Sequence, residues 1–89
     1  MVAHPSHPDI IKRLKRAEGH LHSIFGMIEA KRSCLDLAQQ LHAVERAIGE
    51  AKKTLIRDHL DHCLDDVSNG LSGDQRQAID DFKAITKYL

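Results

Sequence analysis

Apolar residues recur along the chain at steps of three and four. Ile10, Leu14, Ala17, Leu21, Ile24 and Ile28 form one such series, with Ile11 and Phe25 widening it. That spacing places them on one face of a helix and predicts helix 1 over about residues 8–30. A second series, Leu37, Leu41, Val44, Ile48, Ala51 and Leu55, alternates steps of four and three, close to a heptad. It predicts a long helix 2 over about 34–67. Asn69-Gly70 and Gly73 then break the chain, and Ile79, Phe82 and Ile85 mark helix 3 over about 74–88. No segment shows the period-two alternation of a half-buried strand. The expected fold class is all-α: a three-helix protomer, one domain over 1–89, with a His-containing tail over 1–7.

Local signals place the helix starts. Ser6 is followed three residues later by Asp9, Ser33 by Asp36 and Ser72 by Gln75. Each pattern resembles a capping box, in which a hydroxyl and a side chain one turn later satisfy the unpaired N–H groups that open a helix. The short link at Lys31-Arg32-Ser33 predicts that helices 1 and 2 fold back as an antiparallel pair. Helix 2 would be roughly 50 Å long at ~1.5 Å per residue. Two shorter helices of the same chain do not cover that length, so its apolar seam calls for a partner protomer.

The ligand-type residues sharpen this expectation. His59, His62 and Cys63 crowd into the stretch DHLDHC, residues 58–63, while the only other cysteine, Cys34, opens helix 2. His59 and Cys63 are four residues apart and share a helix face. Cys34 and His59 are 25 residues apart, about 37 Å along a continuous helix. They cannot chelate one ion within a chain. Two copies of helix 2 packed antiparallel about an axis near Ala47 and Ile48 bring Cys34 of each chain to His59 and Cys63 of the other, twice over. Ala43, Ala47, Ala51 and Gly49 supply small residues near that axis. Two thiolates and an imidazole suit Cu(I), or Zn(II) and Ni(II) with further ligands. The bland alternative is a pair of inert thiols behaving as small hydrophobes.

Composition narrows the functional classes. The 89 residues carry no formal net charge, but the charge is unevenly spread. Lys12, Arg13, Lys15 and Arg16 form a basic band on helix 1; Lys52, Lys53 and Arg57 form another on helix 2. Such bands supply the phosphate-neutralising part of DNA binding, or are simply solvated faces. No apolar run approaches the ~20 residues of a membrane span, and no secretory signal opens the chain, so a cytoplasmic location is expected. A small thiol enzyme built on Cys34 lacks an oxyanion donor loop and a third orienting group; no enzymatic activity is expected.

Cys34, His59 and Cys63, at this spacing, resemble the Cys-His-Cys ligand set of the copper-sensitive operon repressor (CsoR) family, which also holds nickel/cobalt-responsive and formaldehyde-responsive repressors. The stretches IKRLKRAEGHL, CLDLAQQLHAVERAIGEAKKTLIRDHLDHC and AIDDFKAI agree, so the resemblance runs over nearly the whole chain from Pro8. It implies an antiparallel helical dimer that assembles into a flat dimer-of-dimers tetramer. It implies a repressor that binds operator DNA unliganded and releases it on metal binding. Carried over by position, Cys34 of one protomer joins His59 and Cys63 of its neighbour. Asp80 or Asp81 stands near the family acid that takes a hydrogen bond from the ligand histidine. Arg13, Arg16, Lys53 and Arg57 are the DNA contacts most directly implied.

Departures from the family pattern keep other inducers open. Ser33 stands where copper sensors often carry a tyrosine. Nickel/cobalt members add an N-terminal histidine; the matching position here is Val2, with His4 and His7 close by and His62 a further candidate. Formaldehyde members use a proline after the initiator Met together with the first cysteine; Cys34 matches the second of these, but residue 2 here is Val, which weakens that reading. Cu(I) is the expected cofactor, with Ni(II) or Co(II) as the alternative. A metal-storage protein that binds no DNA is the competing class.

Overall fold

The computed structural model describes residues 5–68 and 75–89, and for 63–68, 75, 76 and 78 the backbone alone. Three helices account for most of these residues: α1 over His7–Glu29, α2 over Cys34–Ser68 and α3 over Gln75–Thr86. No strand occurs among the described residues. The expected Asn69-Gly70 break and the Ser72 cap lie outside them.

The chain divides into two compact units, Pro8–Lys52 and Met1–His7 with Lys53–Leu89. In the first, α1 folds back onto the start of α2 through a tight corner. The N–H of Lys31 bonds the carbonyl of Ile28 (3.0 Å), and that of Arg32 bonds the carbonyl of Met27 (3.1 Å). This pair of bonds is a Schellman ending, which needs a left-handed residue just past the helix. Lys31 takes that role with φ 59°. Ser33 then caps α2: its Oγ accepts from the N–H of Asp36 (3.1 Å), and its carbonyl takes the first helical bond from Leu37 (3.0 Å). The Asp36 carboxylate takes Arg32 Nε at 3.4 Å.

The core of this unit uses half of each apolar seam. Ile10, Ala17 and Ile24, spaced by sevens, are buried on α1, and Val44 and Ala51 on α2. The alternate seam positions stay open: Leu14, Leu21 and Ile28 are 39–54% exposed, and Leu41 and Ile48 are 48% and 46% exposed. Two helices pack along one line of contact. Residues about 40° further round each helix face outward unless a third element covers them.

The second unit holds the rest of α2, α3 and the N-terminal residues. Ile56 is buried there, and Leu60, Phe82 and Ile85 are half-buried. Ser6 Oγ donates a hydrogen bond to the Asp58 carboxylate. The Ser6/Asp9 pair therefore does not close on itself as a capping box: Ser6 reaches across to α2, and Asp9 pairs with Arg13. After α3, successive three-residue bonds from Lys87, Tyr88 and Leu89 tighten the chain end into a turn, so helix 3 stops two residues short of the expected 88.

Candidate metal and DNA site

Cys34 occupies the first helical position of α2, directly after its cap. Its thiol is free and exposed. His59 sits 25 residues further along the same unbroken helix, and Cys63 one turn beyond His59. The backbone places Cys63 in register with His59; its side chain lies outside the described atoms. Among the described residues no three histidine, cysteine or acidic side chains converge as a metal cage.

His59 does have company in its own unit. With Asp81, Ala84, Ile85 and Tyr88 it lines a cleft of about 410 Å³. Asp81 is half-buried and its Oδ1 accepts from Gln77 Nε2 at 2.9 Å, whereas Asp80 is exposed. Of the two acids marked in the sequence, Asp81 is thus the one that faces the His59 cleft. Tyr88, a phenol on the same wall, was not among the residues singled out from sequence. His62 is half-buried and His7, the first residue of α1, is exposed; His4 lies outside the described residues.

The basic residues separate into two sets. Lys12 and Lys15 are exposed on α1, as are Lys52, Lys53 and Arg57 on α2. Arg13 and Arg16, exposed as well, also line a groove of about 410 Å³ between α1 and α2, together with His20, Arg46, Glu50, Ala17, Ala43 and Ala47. Ala43 and Ala47 are themselves exposed in this groove. Asp9 Oδ2 receives Arg13 Nε at 2.8 Å. That hydrogen bond holds the Asp9 carboxyl below its usual range and raises the Arg13 guanidinium. His20 Nε2 lies 2.6 Å from Gln40 Oε1, joining the two helices across the same side.

Arg46 is missing from the sequence-based set because it belongs to no basic run. It joins Arg16 only once the hairpin is built: each lies 15 residues from Lys31, at the corner. Equal distance from a tight turn is the signal that would have found it.

The chain is similar to known proteins over nearly its whole length. A family model described as metal-sensitive transcriptional repressor matches residues 6–88. The copper-sensing transcriptional repressor CsoR of Bacillus subtilis is 42% identical over 82 residues, which is 88% of this chain and 79% of that protein. CsoR of Mycobacterium ulcerans is 33% identical over 78 residues, covering 88% of this chain and 65% of that one. Among solved structures, the nickel-responsive transcriptional regulator InrS superposes with a TM-score of 0.84 over 99% of this chain and 97% of that one; at 23% identity it speaks for the fold. With three helices in this order, and a family match over nearly their whole extent, the chain belongs to the metal-sensitive transcriptional repressors, the CsoR family, whose members are regulators and not enzymes.

Proposed function

We propose that the protein is a copper-responsive repressor that holds operator DNA in its unliganded form and lets go when Cu(I) binds between subunits. The observation that carries this is the placement of donors on α2: an exposed thiol at its first residue, and a histidine and a second cysteine one turn apart 25 residues on. Along one helix that is about 37 Å, so a single chain cannot close the chelate. Two chains with α2 antiparallel close it twice. The open apolar positions Leu14, Leu21, Ile28, Leu41 and Ile48 give such a dimer its seam. Further pairing of dimers gives the tetramer typical of the resemblance.

The donor types fit the ion. Two soft sulfurs and an imidazole match Cu(I). The donors must be thiolates and a neutral ring, so binding releases protons and weakens in acid. A bound ion would supply a cross-link between the start of one α2 and the far part of its partner. His59 has a second ring nitrogen, and the cleft it shares with Asp81 and Tyr88 gives that nitrogen an acceptor on α3. Fixing His59 from both sides ties α3 to α2. Repression then responds through the difference in ligand affinity between the DNA-bound and free shapes, typically 1–3 kcal/mol. The basic residues of α1 and α2 supply the DNA face, and a protein acting on operator DNA works in the cytoplasm.

Operator affinity measured by fluorescence anisotropy tests the scheme. Cu(I) is expected to weaken binding by the parent protein and leave Cys34→Ala bound. Equal release of both proteins would end the intersubunit coupling.

One observation favours a second inducer, Ni(II) or Co(II). Ser6 is bonded to Asp58, next to His59, and His7 directly follows Ser6 in the chain; His4 lies outside the described residues. Harder ions take additional nitrogen donors, and His7 and His4 offer them. X-ray absorption on Cu(I)- and Ni(II)-loaded protein separates the readings. A three-coordinate S₂N copper centre supports copper. A nickel centre with four or more donors, reduced by His4→Ala or His7→Ala, supports nickel.

A further inference from the structure

The cleft beside His59 is walled by Ala84, Ile85 and the ring of Tyr88, together with Asp81. Ile85 is half-buried, whereas Ala84 is exposed and Tyr88 is 65% exposed. A ring left that open on an apolar wall forgoes most of the stabilisation its burial could give. The start of α2 carries a side chain of matching character. Leu35 is 68% exposed, the most open large apolar side chain of the three helices among the described residues. It directly follows Cys34, and Ala38, three residues on, is exposed as well. Leu35 cannot fill the cleft of its own chain. His59 lies 24 residues further along the unbroken α2, about 36 Å away.

The sides of α2 bring the two together across a pair of chains. Counting about 100° per residue, Cys34, His59 and Cys63 fall on one line to within about 40°. Ile56 and Leu60, which the second unit buries or half-buries, fall about 40–80° to one side of that line. Near the other end of α2, Ala38, His42 and Leu35 fall about 40–100° to the same side, and all three are exposed. A two-fold axis perpendicular to paired α2 helices keeps the side and exchanges the ends. The covered sector of one chain then meets the open sector of the other, and the cleft on α3 arrives over the partner's Leu35.

We propose that this cleft is the seat of Leu35 from a second copy of the chain, whose side chain lies on Ala84, Ile85 and the Tyr88 ring. The assignment rests on the reading of α2 as pairing antiparallel between subunits, and it adds a contact that α3 makes with the partner. Cys34 of the partner subunit reaches His59 only if the next residue arrives at the same end. The charges agree: Lys31 and Arg32 are exposed just before Leu35, and α3 offers Asp80 and Asp81. Seated there, Leu35 shields the His59 ring from water on the cleft side. The donors between the subunits gain an apolar cover, and α3 is held by the partner's α2 as well as by its own.

Tyr88 is the one tyrosine of the chain, and there is no tryptophan, so its ring signals are unambiguous. Full-length chains with carbon-13-labelled leucine methyls are refolded with unlabelled chains, thiols kept reduced, and sedimentation confirms that they pair. An isotope-filtered NOE experiment then detects contacts between chains alone. A cross-peak from a leucine methyl of the labelled chain to the Tyr88 ring of the unlabelled one is expected. It should vanish in Leu35→Ala with helix content by circular dichroism unchanged. Leu35→Ala should also raise the dimer dissociation constant about 10-fold or more, and Leu35→Met should restore it. If the chains pair and Tyr88 touches no leucine of its partner, or if the contact survives Leu35→Ala, the seat is wrong. The cleft is then open to another occupant, while the dimer reading stands. If the protein sediments as a monomer, the antiparallel pairing itself fails and the seat fails with it.

Discussion

Lys31 shows how one residue sets the first turn. It holds φ at 59°, a conformation that costs a residue with a Cβ roughly 1–2 kcal/mol. Glycine removes that strain, although it also loosens the unfolded chain. Lys31→Gly should therefore raise the urea midpoint by the equivalent of up to about 1 kcal/mol without changing the slope. Asp9 offers a second check. Its carboxyl titrates below the usual value of 3.8 because Arg13 Nε donates to it. The folded-state value is lowered, so whatever the pair contributes is present above the unfolded value and lost as pH falls through the lowered one. An NMR titration of the Asp9 carboxyl carbon should give a midpoint below 3.8, moving back up in Arg13→Ala. At this scale the sequence was readable where partners are near neighbours. Ser33 and Asp36 are three residues apart, and the cap forms as expected. Ser6 was misread because its partner Asp58 is 52 positions away, beyond the reach of any local pattern.

At the level of elements, the seam positions divide into two classes that mutation separates. Ile24 is 1% exposed and sits among the buried column of α1. Ile24→Ala should cost about 2–5 kcal/mol in the folded chain at any protein concentration. Ile48, almost half exposed, belongs to the open column. If the proposed dimer covers the open column, Ile48→Asp should leave helix content intact in dilute solution and shift the sedimentation profile towards monomer. Helix limits emerged from sequence to within two residues, since caps and heptads are local. Which half of the seam would be covered within one chain was not readable. Both halves are apolar, and only the packing line of a two-helix hairpin distinguishes them.

For the whole molecule, the proposed chelate makes a complementation experiment decisive. Cys34→Ala and His59→Ala proteins are each expected to lose Cu(I) binding as homodimers. Co-refolded, a mixed dimer pairs the intact Cys34 of one chain with the intact His59 and Cys63 of the other, and should recover one site in two by bicinchoninate competition. No recovery would mean that the donors come from a single chain. From sequence, Cys34, His59 and Cys63 stand together only as a spacing argument, which this experiment tests; in the structure His59 shares a cleft with Asp81 of α3. Tyr88 and Arg46 were missed because each reaches its neighbours only through the return of a helix, not through chain proximity.

Three glycines interrupt otherwise good helix formers, Gly19 and Gly26 on α1 and Gly49 on α2, and a methyl group at any of them would touch nothing within 4 Å. Alanine there should strengthen each helix by about 0.5–1 kcal/mol. A chain carrying all three changes is expected to melt at a higher temperature in differential scanning calorimetry, with its helix content unchanged. The open backbone at those points is thus stability held in reserve, which one methyl group at each position would release.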